Sequence, residues 1–335
     1  MRIVMMGTGL FARPTFEALL DSSYSVVGLV TQPDRDVGQE RGSTRQTGLT
    51  LKELAQQRGI PVFQPESINT PEGVEGLRAW QPDLLVVAAY GQILSADVLG
   101  VPLRGGINVH GSLLPRYRGA APIAWAILKG EQQTGVTIIR MSVSLDAGDI
   151  LARESLDILP HETAGELEAR LAPLGARLTL SVIEQMQAGT LQGEKQDPSL
   201  ITRAPKLKKK DGLIDWNRTA AEVCRHIRAM QPWPTAYTFW HRGTQAPVRL
   251  ILSRAVEHRE GTTTASPGQI LPVDPHAAVL HVAAGDGSVV EVQELQPAGK
   301  RRMSAADFLH GHRPAQAPTE TDPSMPPDRL GPMSP

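Results

Sequence analysis

Five short apolar runs, Ile3–Met6, Val26–Val30, Leu84–Ala89, Ile107–His110 and Val136–Met141, alternate with stretches of helical periodicity up to about residue 190. A strand that is apolar along its whole length is buried on both faces, and strands separated by helices pair as parallel neighbours. The alternation therefore predicts an α/β fold built on a parallel, doubly wound sheet. A further strand is expected over Ile150–Ile158. The helix after it is well marked: Thr163 and Glu166 form a capping box, Leu167, Leu171, Leu174 and Leu178 recur at helical spacing, and Gly189 is placed to end it.

At 335 residues the chain has room for two domains. Residues 1–189 are read as the first, α/β one. Residues 190–212 lose periodicity and turn polar and basic, which predicts a linker. An amphipathic helix around Ala221–Met230 and short β-like runs at Val248–Leu252, Ala278–Val282 and Val289–Val292 predict a small barrel-like β domain over residues 213–312. The tail, residues 313–335, is rich in Pro and Ser and is expected to be disordered.

The net charge of −1 hides an asymmetry. Residues 201–260 carry 12 Lys and Arg against 5 Asp and Glu, a net of +7 that leaves −8 for the rest, so the two parts are expected to meet different partners. The longest apolar run, Leu84–Tyr90, falls far short of the ~20 residues that cross a bilayer. With no secretory pattern ahead of the first strand, a soluble cytoplasmic protein without membrane contact is expected. The single cysteine, Cys224, can neither close an internal disulfide nor build a thiolate zinc site.

Gly7-Thr8-Gly9-Leu10-Phe11-Ala12 follows the first strand and matches the dinucleotide fingerprint. Such a site also needs an acidic residue at the end of the second strand, about 20 residues on. The nearest, Asp34, lies 27 residues after Gly7, beyond Gln32-Pro33. A tight strand-to-helix turn is the better account of these glycines. The run from Asn108 to Gly119 is denser in chemistry. Asn108 and His110 stand two apart at a strand end, so both side chains take one face, at the edge where open α/β sheets receive ligands. A lone histidine there is more often structural, but an amide and an imidazole together, followed by a loop punctuated by Pro115 and Gly119, favour a site. Asp146 lies in the loop after Val136–Met141. An Asp before Ala-Gly is usually a turn former, yet this one follows a strand expected beside that of His110. Asn, His and Asp together suit acyl-type transfer to an amine without a serine or cysteine nucleophile.

On these residues the chain resembles the formyltransferases that use 10-formyltetrahydrofolate. Their pattern, N-x-H-x-S-L-L-P-x-[FYW]-x-G followed by a loop Asp, is matched by Asn108 to Gly119 and by Asp146. Gly7-Thr8, Phe11-Ala12, Thr31-Gln32-Pro33-Asp34-Arg35, Asp211-Gly212-Leu213-Ile214-Asp215-Trp216, Ile227-Arg228-Ala229, Pro232-Trp233-Pro234 and Gln296-Pro297-Ala298-Gly299-Lys300 extend the resemblance to about residue 312. The C-terminal stretches are those of the family's tRNA-acting branch.

The resemblance implies a Rossmann-like formyltransferase domain, without nicotinamide or metal, and a C-terminal OB-like β-barrel domain. It implies that Asn108, His110 and Asp146 are catalytic, that Ser112, Leu113, Leu114 and Pro115 contact the folate, and that Tyr90, Gly91, Gln92, Ile93 and Leu94 line the pterin pocket. It implies 10-formyltetrahydrofolate as formyl donor and initiator methionyl-tRNA as acceptor, and a monomer is expected. The chain departs from the family at Gly9-Leu10, at Ser142 and Ser144, and in the loop after Asp34, which is about three residues longer. In that loop Arg41 is the counterpart of the family's arginine, and with Arg45 it is expected to approach the tRNA.

The expected chemistry has the neutral amine attack the formyl carbon. Asn108 and a protonated His110 donate to the oxyanion, while Asp146 orients His110 and helps to move a proton. Lys206, Lys208, Lys209 and Lys210 read either as a solvated run or as phosphate contacts, and beside a polyanionic substrate the second is favoured. For Trp216, Trp233 and Trp240, packing is favoured over base stacking. Two other classes share parts of the pattern: a folate enzyme acting on a nucleotide, a sugar or water, and a nucleotide-binding regulatory module.

Overall fold

Ile3, Val4, Met5 and Met6 expose no surface, and they form the centre of β1 (Arg2–Gly7), from which the first sheet spreads both ways. In the computed structural model, which describes residues 1–34, 49–242, 245–258, 262–272, 279–312 and 328–333, the chain forms two units. One comprises residues 1–126, 131–159 and 165–206, the other 127–130, 160–164 and 207–335.

In the first unit, β2 (Ser25–Val30) and β3 (Val62–Phe63) lie to one side of β1, and β4 (Leu84–Ala88), β5 (Gly106–His110), β6 (Gln133–Arg140) and β7 (Ile150–Asp157) to the other. The order is β3-β2-β1-β4-β5-β6-β7. Helices α1 (Gly9–Leu20), α2 (Leu51–Gln57), α3 (Pro71–Arg78) and α4 (Ala96–Leu99) fall between the first five strands, and α5 (Pro122–Leu128) precedes β6. Every pairing from β3 to β5 is parallel, the Rossmann-like core expected, but β6 runs antiparallel to β5 and β7 antiparallel to β6. The parallel expectation fails for the run Val136–Met141 because burial on both faces leaves no mark of direction in a sequence.

Helix α6 (Ala164–Ala188) begins after Thr163 and stops before Gly189, as its signals predict. Gly175 lets it lie directly on β5: a Cβ there would sit 2.7 Å from Cγ1 of Val109. The helix thus covers the face to which Val109 points. Asn108 and His110, on either side of Val109, take the opposite face.

The expected linker is not one. Glu194 exchanges both backbone hydrogen bonds with Ile150 at 2.8 Å, and Ala204 N donates to Arg118 O at 2.7 Å, so residues 190–206 belong to the first unit. Their backbone groups find sheet and loop partners that no periodicity announces. Residues from Leu207 onward belong to the second unit.

There α7 (Ala220–Ala229) starts with a Thr219–Glu222 capping box and precedes β8 (Ala236–Arg242), β9 (Gln245–His258), β10 (Leu280–Ala283), β11 (Val289–Pro297), β12 (Met303–Ser304), α8 (Ala305–Gly311) and β13 (Arg329–Gly331). The antiparallel order is β10-β11-β9-β8-β13, with β12 on β11. Its two ends are joined by one segment: Gln269 bridges Arg329 of β13 and Ile270 bridges Val282 of β10, which closes the curled sheet into the OB-like barrel. The expectation of a disordered tail is overturned for residues 328–333. Leu330 is buried, Trp240 Nε1 donates to Asp328 Oδ2 at 3.0 Å, and Thr238 Oγ1 donates to Gly331 O at 3.2 Å. Ladder bonds to β8, about ninety residues back, outweigh the polar composition. Among the described residues no helix is long and apolar enough to cross a membrane.

Candidate active site

Register places the ends of three strands side by side, Gly7 beside Ala88 and Ala88 beside Val109. The turns after β1, β4 and β5 therefore share one edge, and His110 is the last residue of β5. Its Nε2 lies 3.0 Å from Tyr117 O. A carbonyl only accepts, so Nε2 carries a proton, and Nδ1 is the nitrogen turned toward Asp146, 3.7 Å from Oδ1. Asn108 Nδ2 donates to the same Oδ1 at 3.4 Å, and Gly119 N donates to Oδ2 at 2.9 Å. The side chains of His110 and Asp146 are only 5% and 9% exposed, so this amide, imidazole and carboxylate meet in a site largely shielded from water. Gly119, at φ +130° and with a Cβ position 2.4 Å from Ala204 O, admits no side chain, which is how its N–H comes so near the carboxylate.

The route of Asp146 to this point differs from the expected one. Because β6 is antiparallel, it ends beside the start of β5, with Arg140 opposite Ile107. The loop after it must fold back across the sheet face to reach Asn108 and His110, and Asp146 turns there with φ +51°, a conformation that Asp tolerates better than most residues. Gln196 pins the fold-back: its Nε2 donates to Asp146 O at 2.9 Å and to Gly148 O at 2.7 Å. Its Oε1 accepts from Arg118 Nε at 3.1 Å and from the terminal guanidinium nitrogen at 2.7 Å. Sequence reasoning missed Gln196, which stands 50 residues beyond Asp146 in an aperiodic stretch; no spacing points to it. Ser142 and Ser144, both departures from the family, are bonded to each other, Ser142 Oγ donating to Ser144 O at 3.0 Å.

The expected folate segments divide into supporting and open parts. Ser112 and Leu114 are buried, Ser112 Oγ donates to Arg116 O, and Thr137 links Ser112 O to Leu114 N. Pro115 is buried as well, and only Leu113 is half exposed. Among Tyr90–Leu94, Tyr90 and Leu94 belong to the core, with the Tyr90 hydroxyl pushed up to about 12 by burial. Gln92 is held by Ile68 N and Glu66 O. Gly91 is exposed, and Ile93 exposes 66% of its surface, so these two are the open members of the segment.

The glycine-rich turn is occupied by the protein itself. The half-buried Glu168 carboxyl, pushed up by desolvation, accepts from the Phe11 backbone N–H in the first turn of α1, where a dinucleotide would place phosphate. Asp34 is taken up by Lys52 and by Gln64. Trp216 and Trp240 are buried, their indole N–H groups donating to Thr238 and Asp328, so they pack rather than stack on bases. Lys206, Lys208, Lys209 and Lys210 are all exposed, while Arg41 and Arg45 fall outside the described residues.

Residues 1–183 match the formyl transferase family, and residues 206–313 match the formyl transferase C-terminal domain. The methionyl-tRNA formyltransferase of Geobacter sulfurreducens is 43% identical over 313 residues, 93% of this chain and 94% of its own. That of Bacillus subtilis is 41% identical over 310 residues, 92% of this chain and 94% of its own. Among solved structures, the N-formyltransferase from Helicobacter canadensis in complex with folinic acid and dTDP-3-aminofucose aligns with TM-score 0.61 at 16% identity. It covers 87% of this chain and 98% of its own, a likeness of fold alone.

Proposed function

The chain belongs to the formyltransferase family, over both of its domains, and from that premise we propose that it transfers the formyl group of 10-formyltetrahydrofolate to the α-amino group of initiator methionyl-tRNA. The observation that carries the reading is the convergence of Asn108 and His110 on one oxygen of Asp146.

The attacking amine must be neutral, and a free α-amine ionises near ~7.7–8.0, so much of it is available close to neutral pH. Attack forms the new C–N bond and moves charge to the formyl oxygen. The second Nδ2–H of Asn108, the one not on Asp146, and His110 Nδ1–H, which at 3.7 Å is not hydrogen-bonded to Asp146, are the donors for that oxyanion, Nε2 being tied to Tyr117 O. Each such donor is typically worth ~3–4 kcal/mol in the transition state. Asp146 balances the imidazolium and accepts the proton that the amine sheds. The oxyanion then re-forms the carbonyl as the C–N bond to the folate breaks, and the proton taken up by Asp146 passes to the departing folate nitrogen, so charge and atoms balance.

In this reading Ile93, Gly91 and Leu113 supply the open surface for the folate, while Ser112, Leu114 and Pro115 hold the turn beneath it. Lys206, Lys208, Lys209 and Lys210 contact tRNA phosphates, and Arg41 and Arg45 approach the acceptor end from the lengthened loop. In this reading a single chain is the acting unit, working in the cytoplasm where aminoacyl-tRNA is used. The test is formyl transfer by the purified protein to charged initiator and elongator methionyl-tRNA. Transfer to the initiator form is expected, with Arg41→Ala/Arg45→Ala lowering kcat/KM for tRNA while the folate KM holds. Formylation of a sugar amine, or hydrolysis alone, with neither tRNA modified, overturns the proposal.

A further inference from the structure

In the C-terminal barrel, three adjacent strands bring two imidazoles and a carboxylate to one face. His281 on β10 stands opposite Glu291 on β11, and Glu291 stands opposite Val256 on β9. His258 lies two residues beyond Val256, so all four side chains share a face, while Leu280, Val282, Val290 and Val292 point the other way into the core. Glu291 Oε2 lies 3.6 Å from His258 Nδ1 and 3.8 Å from His281 Nε2. The three candidate ligand atoms all fall within 4.8 Å of one another.

Neither contact is short enough for a hydrogen bond, and among the described residues the buried His281 Nε2 has no hydrogen-bond partner. Here the rings stay apart, centroids 4.6 Å distant and planes tilted by 51°, with both nitrogens turned toward the same oxygen. The other carboxylate oxygen is fixed from outside, Gln293 Nε2 donating to Glu291 Oε1 at 2.9 Å. An outer amide that orients a carboxylate while its free oxygen faces two nitrogens is the arrangement found around metal ligands.

We propose that His258, His281 and Glu291 form a binding site for one divalent transition-metal ion of the zinc class, on residues that take no part in formyl transfer. Bonds of about 2.0–2.2 Å in a tetrahedral site set ligand atoms about 3.4 Å apart, so the observed separations contract by a few tenths of an ångström for the two carboxylate pairs. Two imidazole nitrogens and one oxygen suit zinc, copper or nickel, whereas magnesium and calcium require mostly oxygen ligands. The remaining coordination is left to water. Because the ligands come from β9, β10 and β11, the ion binds the folded barrel and stabilises it by mass action.

The test uses the full chain, stripped with a chelator and titrated near neutral pH with Zn²⁺ by calorimetry and with Co²⁺ by visible absorption. One equivalent is expected to bind, with the intense bands of tetrahedral cobalt and a higher Tm in zinc. His258→Asn and His281→Asn should each weaken binding at least about tenfold, and Gln293→Ala about tenfold by releasing the orientation of Glu291. The metal-free circular dichroism of each variant reports whether it has folded. Wild-type crystals grown with Zn²⁺ give an arm that depends on no variant: an anomalous peak is expected among the three side chains. No such peak, no one-to-one binding, or binding unchanged in folded His281→Asn overturns the proposal.

Discussion

His110 and His281 are both set in a sheet beside a carboxylate, and they differ in what else their rings touch. His110 has its Nε2 on a carbonyl, its carboxylate partner held by a backbone N–H, and that partner's loop pinned by Gln196. His281 presents an unpartnered nitrogen to a carboxylate that it does not reach. The first arrangement draws every one of those partners from the chain itself, as the proposed stabilisation of a transient charge requires. In the second, the proposed ion is what draws the members together. A preorganised site should lose function abruptly when one member is removed, and an open one should be silent until its ligand is supplied.

The largest effect should follow from breaking the completed site. His110→Ala, Asp146→Asn and Asn108→Ala should each lower kcat about 10²–10³-fold with the fold intact, read at saturating substrates. Near-normal turnover in any one removes that residue from the chemistry. Gln196→Ala tests whether the completeness depends on the fold-back loop. A drop in kcat of about tenfold at little change in the folate KM is expected, since a small displacement of a reacting group is costly. An unchanged kcat would mean that the loop holds its shape without Gln196.

Smaller still is the effect of neutralising Lys206, Lys208, Lys209 and Lys210 together. The KM for tRNA should rise, and its log–log salt slope should flatten by about 0.7–0.9 for each phosphate that no longer meets a lysine. A slope that stays as steep returns the run to a solvated surface.

The smallest effects compare the two units through their buried titratable groups. Burial raises Glu168 in the first unit above its ordinary 4.5, so its contribution to stability is full below that value and is lost as pH rises through the folded-state one. Burial lowers His226 in the second unit below its ordinary 6.5, so its contribution is full above that value and is lost as pH falls. Mild acidification should therefore favour the first unit and weaken the second. Glu168→Gln should raise Tm at neutral pH by about 2–4 °C, and His226→Gln should flatten the acid loss, both read in melts from pH 5 to 8. Parallel curves for wild type and variants would remove these groups as the source.

The parts of the fold written in local periodicity were legible. The apolar runs became β1, β2, β4, β5 and β6, and the leucine repeat became α6. Direction was not, because β6 buries Val136, Ile138 and Ile139 identically whichever way it runs. Asn108 and His110 could be paired from their spacing, since alternation fixes the shared face. The partners brought in from a distance left no trace: Gln196 meets Asp146 across 50 residues, and Trp240 meets Asp328 across 88. His258, His281 and Glu291 fit no ligand-spacing motif, because three separate strands deliver them.

The closure of the barrel through β13 sets an order in time during synthesis. The catalytic sheet, its fold-back loop and Gln196 are all present once residue 206 has been added, whereas the barrel has no last stave until residue 331. At bacterial-like elongation of ~5–20 residues per second, the intervening stretch takes roughly 6–25 s. For that interval the residues of the first unit have all been joined while β8 still lacks the strand, Arg329–Gly331, that covers its edge, and an uncovered edge at Ala236–Arg242 is a template for wrong strand pairing.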